Sequence, residues 1–167
     1  MKIRVGMGYD VHPFAPDDSA RRLVLGGVRF DDVVGLAGHS DADAVAHAVA
    51  DAILSPAGLP DLGTLFPASD EQHAGADSLG LLRECAQLVA AERWYVGNVD
   101  VVINAERPRL AAHMAAMAAN VAAALEPAAE PMSGGVYVSV QPKRGEGVGF
   151  VGRGEGIAVW AVALLQH

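Results

Sequence analysis

Apolar and polar positions alternate from Ile3 to Val11, and the run then meets His12-Pro13. This is the two-residue period of a strand that ends in a turn, here leading into an Asp- and Pro-containing loop. Leu23 to Phe30 reads as a second strand, Val96 to Asn104 as a third, Val136 to Val140 as a further β-rich run, and Ile157 to Leu165 as an apolar closing segment. From His39 the pattern changes to His-Ser-Asp-Ala-Asp-Ala-Val-Ala-His-Ala-Val-Ala-Asp-Ala-Ile-Leu. That stretch predicts a helix with Ser40 as N-cap, acids in its first turn and helix-forming Ala throughout. It should stop near Ser55-Pro56, because proline removes a helical donor and restricts its predecessor. A loop containing Gly58, Pro60, Gly63 and Pro67 follows. A second helix is expected over Asp77 to Glu92, and a third, Ala-rich, from about Ala111 to Leu125. Strands alternating with helices predict an α/β (α+β) sandwich rather than an all-α bundle. No repeat or long linker divides the chain, so residues 1–167 are expected to form one domain.

Composition narrows the partners. With 51% hydrophobic and 19% charged residues the chain has ample material for a packed core, which argues against disorder. Its net charge of -8 repels a phosphate backbone, so nucleic acid is a poor default partner. A small anionic substrate stays open, since a metal ion and a few placed cations reverse the local potential of a pocket. The single cysteine, Cys85, excludes an intramolecular disulfide and reads as a buried helix residue. The N-terminus has no apolar signal core, and no segment supplies the ~18 consecutive apolar residues of a membrane span. A cytoplasmic protein with no membrane partner is the expectation.

Against this background a few residues carry chemistry. Asp10 and His12 are two apart on a strand end, so both side chains leave one face of the pleat and are able to converge on an ion. His47 lies on the helix with Asp51 four residues later, a spacing at which a carboxylate is able to orient the imidazole through its second nitrogen. An Asp-His-His set with one open position suits catalytic zinc. The plainer alternative is a His12 that caps a turn and a His47 satisfied on a half-buried helix. His39-Ser40 opens the same helix, where free N–H groups favour an anion, although simple N-capping explains Ser40 equally well.

Residues 145–156 contain a formal G-x-G-x-x-G from Gly147 to Gly152. A dinucleotide site needs a following helix and a later acid within a βαβ unit, whereas this chain ends after a strand-like run. The glycines better suit tight turns and close approach to a ligand, with Arg153 clamping phosphate and Glu146 holding a hard cation. The alternative is a solvated turn pair.

Taken in order, residues 8–14 (Gly-Tyr-Asp-Val-His-Pro-Phe), residues 38–43 (Gly-His-Ser-Asp-Ala-Asp), His47-Ala48, Asp51-Ala52, Asp61-Leu62-Gly63, Phe66-Pro67, Asn98-Val99-Asp100 and residues 152–156 (Gly-Arg-Gly-Glu-Gly) resemble the 2-C-methyl-D-erythritol 2,4-cyclodiphosphate synthase family over nearly the whole chain. The resemblance implies a mixed β-sheet backed by helices on one face, in a homotrimer with active sites between subunits. It implies a lyase of non-mevalonate isoprenoid biosynthesis that cyclises 4-diphosphocytidyl-2-C-methyl-D-erythritol 2-phosphate and releases CMP. By the same resemblance Asp10, His12 and His47 bind one Zn2+ per subunit, with Asp51 behind His47, and Glu146 holds Mg2+ or Mn2+ with the substrate diphosphate. His39, Arg144 and Glu146 are the implied catalytic residues. Ser40, Asp61, Leu62, Gly63, Phe66 and Asp70 would meet the methylerythritol phosphate. Ala105, Pro108, Arg109, Leu110 and Ala111 would line the cytidine pocket, and Phe150 and Arg153 the phosphate end.

The chain departs from the family pattern at Lys143-Arg144-Gly145, where a run of threonines normally precedes the metal-binding Glu. Arginine binds phosphate strongly but does not fit where a compact hydroxyl sat without rearrangement. Ala68 stands where an acid is usual, and Arg109 where a lysine is usual. The same residues also suit two other functions: a zinc phosphohydrolase, and a catalytically silent trimeric protein that binds zinc and nucleotide.

Overall fold

The computed structural model describes residues 2–17, 19–70, 75–132 and 134–167. Strand β1 (Ile3–Pro13) alternates as the sequence pattern requires: Gly6 and Gly8 are buried, while Ile3, Val5, Met7, Tyr9 and Val11 face outward. The expected single strand from Leu23 to Phe30 is instead a hairpin, β2 (Arg22–Leu25) and β3 (Val28–Val34). Gly26 and Gly27 take φ of 54° and 69°, the left-handed pair that closes a two-residue turn. The apolar run on both sides hides that turn from a simple reading of periodicity.

Helix α1 (Ala44–Ala57) runs through Pro56 to a Gly58 cap, slightly beyond the expected stop. Ser40 is not its N-cap. Asp43 is, with its carboxylate accepting from Val45 and Ala46 N–H at 3.0 and 3.2 Å, and no acid lies within the first turn. The loop expected after Pro56 contains a short helix, α2 (Leu62–Leu65), capped by Asp61. Helix α3 (Ser78–Ala91) starts behind Asp77, and β4 (Tyr95–Asn104), α4 (Met114–Leu125, entered through a 3-10 turn at Ala111–His113) and β5 (Tyr137–Lys143) follow. A one-turn helix α5 (Gly149–Gly152) leads into the closing strand β6 (Gly156–Gln166). Four helical residues followed directly by a strand exclude a dinucleotide-type βαβ unit at the glycine-rich segment.

The main sheet has the order β1-β6-β4-β5, with β1–β6 and β4–β6 antiparallel and β4–β5 parallel. It is therefore mixed, as expected. Helices α1 and α4 pack on one face of the sheet, and α3 packs on both helices. The core lies between these layers and is built from Val45, Val49 and Ile53 of α1 against Val99, Val101 and Ile103 of β4 and Val159, Ala161 and Leu165 of β6. Alanine and glycine set the spacing. A Cβ on Gly8 would lie 1.8 Å from the Ala48 carbonyl oxygen, and one on Gly6 2.2 Å from that of Ala52. Only glycine lets β1 touch α1 this closely, and that contact brings Asp10 and His12 up to His47.

Candidate metal centre and adjoining clefts

Three ligand atoms from two elements converge at the end of β1. Asp10 Oδ2 lies 3.0 Å from His12 Nε2 and 3.2 Å from His47 Nδ1, and the two ring nitrogens are 3.4 Å apart. Four ligands held about 2.0–2.1 Å from a tetrahedral zinc are themselves separated by roughly 3.3 Å. The observed triangle has that size, and it is the one such cluster among the described residues. His12 is fixed from behind, its Nδ1 donating to the Ala37 carbonyl at 2.7 Å, which leaves Nε2 with a free lone pair. Burial disfavours ionisation of Asp10, yet hydrogen bonds and charge attraction from His12 and His47 outweigh it and draw its pKa down to about 2. The hydrogen bond to Asp10 in turn raises His12 above the ordinary imidazole range, against the effect of burial.

The triad floors a cleft of about 290 Å³ that is also lined by His39, Ser40, Asp51, Leu62, Gly63 and Phe66. His39 is held there by a contact of 3.1 Å between its Nε2 and the Asp70 carbonyl. One expectation needs correction. Asp51 does not orient His47: its carboxylate accepts from Leu62 N–H at 2.8 Å and thereby anchors α2, while His47 Nε2 faces the hydroxyls of Ser78 and Ser40 at 3.0 and 3.1 Å. Ser40 lines the cleft, and its Oγ also accepts from Ala42 N–H at 3.2 Å. Asp61 is exposed, spends one oxygen on Thr64 N–H at 2.8 Å, and borders another hollow beside Asp51.

A second cleft, about 550 Å³, gathers Ala105, Pro108, Arg109, Leu110 and Ala111 with Lys143, Arg144 and Glu146. It shares no lining residue with the first. Arg144 is bound by Glu106, whose other carboxylate oxygen accepts Gly145 N–H at 3.2 Å. The Arg144 guanidinium holds the Glu106 carboxyl below its usual range. Glu106 escapes a reading by sequence because its partner lies 38 residues away. Glu146 is exposed at the rim with φ of 50°. Phe150 and Arg153 line neither cleft, and Arg153 pairs with Glu155 at 2.7 Å.

The family model described as the YgbB family matches residues 3–166. The 2-C-methyl-D-erythritol 2,4-cyclodiphosphate synthase of Rubrobacter xylanophilus is 52% identical, over 98% of this chain and 95% of the relative. Among solved structures, the bifunctional IspDF of Campylobacter jejuni superposes with a TM-score of 0.88 at 35% identity, covering 99% of this chain. This chain spans only 42% of that longer protein. A Plasmodium falciparum IspF solved as a CDP complex gives a TM-score of 0.79 at 31% identity, over 98% of this chain and 95% of that one.

Proposed function

Because the chain belongs to the YgbB family, that of 2-C-methyl-D-erythritol 2,4-cyclodiphosphate synthases, we propose that it cyclises 4-diphosphocytidyl-2-C-methyl-D-erythritol 2-phosphate in isoprenoid biosynthesis. An oxygen of the substrate's own 2-phosphate attacks the β-phosphorus, the bond from that phosphorus to the CMP oxygen breaks, and CMP leaves. No protein nucleophile is required, so the residues act by positioning and charge neutralisation. The convergence of Asp10 Oδ2, His12 Nε2 and His47 Nδ1 at tetrahedral ligand spacing, inside a cleft that also holds His39, carries this reading.

These three residues would hold zinc, which when bound supplies Lewis-acid polarisation of the diphosphate. His39, steadied at Asp70, offers its other ring nitrogen to the reacting phosphate. Leu62, Gly63 and Phe66 enclose the methylerythritol portion, and Ser40 supports the site from behind His47 rather than through a free hydroxyl. In the second cleft, Ala105, Pro108, Leu110 and Ala111 enclose the cytidine, a role supported by the CDP complex of the Plasmodium relative. Arg109, Lys143 and Arg144 bring cationic charge to its phosphates. Glu146 is a single exposed carboxylate, which suits Mg2+ or Mn2+ shared with the substrate's own oxygens. Phe150 and Arg153 reach the phosphate end only from outside either cleft of one protomer.

The separation of the two clefts favours a catalytic unit built from the metal cleft of one protomer and the nucleotide cleft of a neighbour. A homotrimer would provide it. The outward face of β1 and β6 supports such an assembly, since Val5 and Met7 are each 66% exposed and Val162 43%.

Incubation of purified protein with this substrate, Zn2+ and Mg2+, followed by phosphorus NMR and mass spectrometry, tests the function. Cyclic diphosphate and CMP in equal amounts are expected. Inorganic phosphate without a cyclic product would instead identify a phosphohydrolase, and bound metal and nucleotide with no turnover would identify a silent binding protein.

A further inference from the structure

The hydrogen bonds behind His47 extend the metal assignment above and rest on it. His47 gives Nδ1 to the triad, so Nε2 faces two hydroxyls, Ser78 Oγ at 3.0 Å and Ser40 Oγ at 3.1 Å. Both are shielded from water, Ser78 being 1% and Ser40 7% exposed. Their oxygens lie 3.1 Å apart. Ser78 Oγ also meets Asp41 Oδ1, and the other Asp41 oxygen accepts Ser78 N–H at 3.3 Å.

Each hydroxyl has one proton to give. Asp41, as a carboxylate, has none, so the Ser78 proton goes to Asp41. The lone pairs of Ser78 Oγ then require donors, and among the described residues only Ser40 and His47 stand within reach. Ser40 donates its proton to Ser78 and accepts from Ala42 N–H, and His47 donates Nε2–H. The opposite tautomer would turn an Nδ1–H toward Asp10 Oδ2 at 3.2 Å, among the metal ligands, and would strip Ser78 Oγ of a donor in a dry site.

We propose that Asp41 and Ser78 are positioning residues that lock His47 in its Nε2–H tautomer and so leave Nδ1 ready for the metal. The pair is a carboxylate–hydroxyl–histidine counterpart of the carboxylate–histidine arrangement common behind zinc ligands, with Ser78 as the bridge. Asp41 precedes α1 and Ser78 opens α3, so the metal ligand is tied to two elements outside its own helix.

The test combines two readouts: histidine tautomers by 15N NMR on metal-free protein, and Zn2+ affinity by competition with a chromophoric chelator. Ser78→Ala should lower zinc affinity by about 10–100-fold and move His47 toward the Nδ1–H form. Ser78→Thr, which keeps the hydroxyl, should retain both properties. Should Ser78→Ala fail to fold, Asp41→Asn is measured in its place and should shift both readouts in the same direction by a smaller amount. Unchanged tautomer and affinity in Ser78→Ala, or equal losses in Ser78→Thr, would overturn the proposal. Wild-type protein that binds no zinc would instead overturn the metal assignment, while the tautomer of His47 would still decide the role of Ser78.

Discussion

Arg144 stands where the family resemblance leads one to expect a threonine, and Glu106 explains how the cleft accommodates it. The carboxylate holds the guanidinium at the cleft wall, against the Gly145 backbone, and in the proposed function it meets the substrate's phosphate there. Arg144→Ala is therefore expected to reduce kcat/KM by about 10–100-fold, the loss of one charge-assisted contact worth about 1.5–3 kcal/mol, with zinc content unchanged. Steady-state kinetics with metal analysis checks both. Cys85 makes a contrasting case. Burial lifts its thiol to about 12, far above the ordinary thiol value of 9.0, so it should resist alkylation in the native state at neutral pH. In the unfolded chain the thiol ionises near its ordinary pKa. Stability should thus be unaffected below pH 9 and fall by about 1.4 kcal/mol per pH unit as pH rises from there toward 12. Urea denaturation of wild type and Cys85→Ala over that range should show a shallower alkaline decline in the variant. At this scale the sequence exposes Asp10, His12 and His47 because strand and helix periods place them. It does not expose Ser78, whose link to His47 spans 31 residues.

Two contacts between elements keep the centre assembled. Gly8 lets β1 lie against the backbone of α1, and the methyl of Gly8→Ala would have to displace the Ala48 carbonyl. Such a clash between backbones should cost about 3 kcal/mol, at the upper end for overpacking, and should also weaken zinc binding because His47 rides on α1. Thermal unfolding and metal titration measure the two effects separately. Asp43, fully buried, accepts from Gly26 and Gly27 N–H at 2.8 and 2.7 Å as well as from the first turn of α1. Burial pushes its carboxyl above the usual range against the pull of those donors. Asp43→Ala orphans four N–H groups and is expected to destabilise by about 2–4 kcal/mol, seen as a lowered midpoint in urea. These features also mark the limit of sequence reading for elements. Alternation predicts β1, and runs rich in helix-forming Ala predict α1 and α4. The choice of Asp43 over Ser40 as cap depends on a hairpin turn brought in from 17 residues earlier, which local pattern does not carry.

For the whole molecule, the outward face of β1 and β6 presents Val5, Met7, Tyr9, Trp160 and Val162 to solvent in one protomer. A charge placed there, as in Val5→Glu, should dissociate the proposed trimer and abolish turnover while leaving zinc binding intact, because Asp10 and His12 occupy the opposite face of β1. Sedimentation velocity paired with metal analysis distinguishes that outcome from misfolding. Alternation in the sequence marks these positions as apolar, but it does not reveal which face the helices cover.

In the proposed function the triad is a working zinc centre of a cyclodiphosphate synthase. Stepwise addition of Zn2+ to metal-stripped protein, with cyclic diphosphate followed in the presence of Mg2+, tests it most directly. Turnover should rise from baseline until about one equivalent of zinc per chain is bound, in line with a single three-ligand site, and His12→Ala should stay at baseline throughout. Full turnover by metal-stripped protein, or zinc-saturated protein that forms no cyclic product, would contradict it.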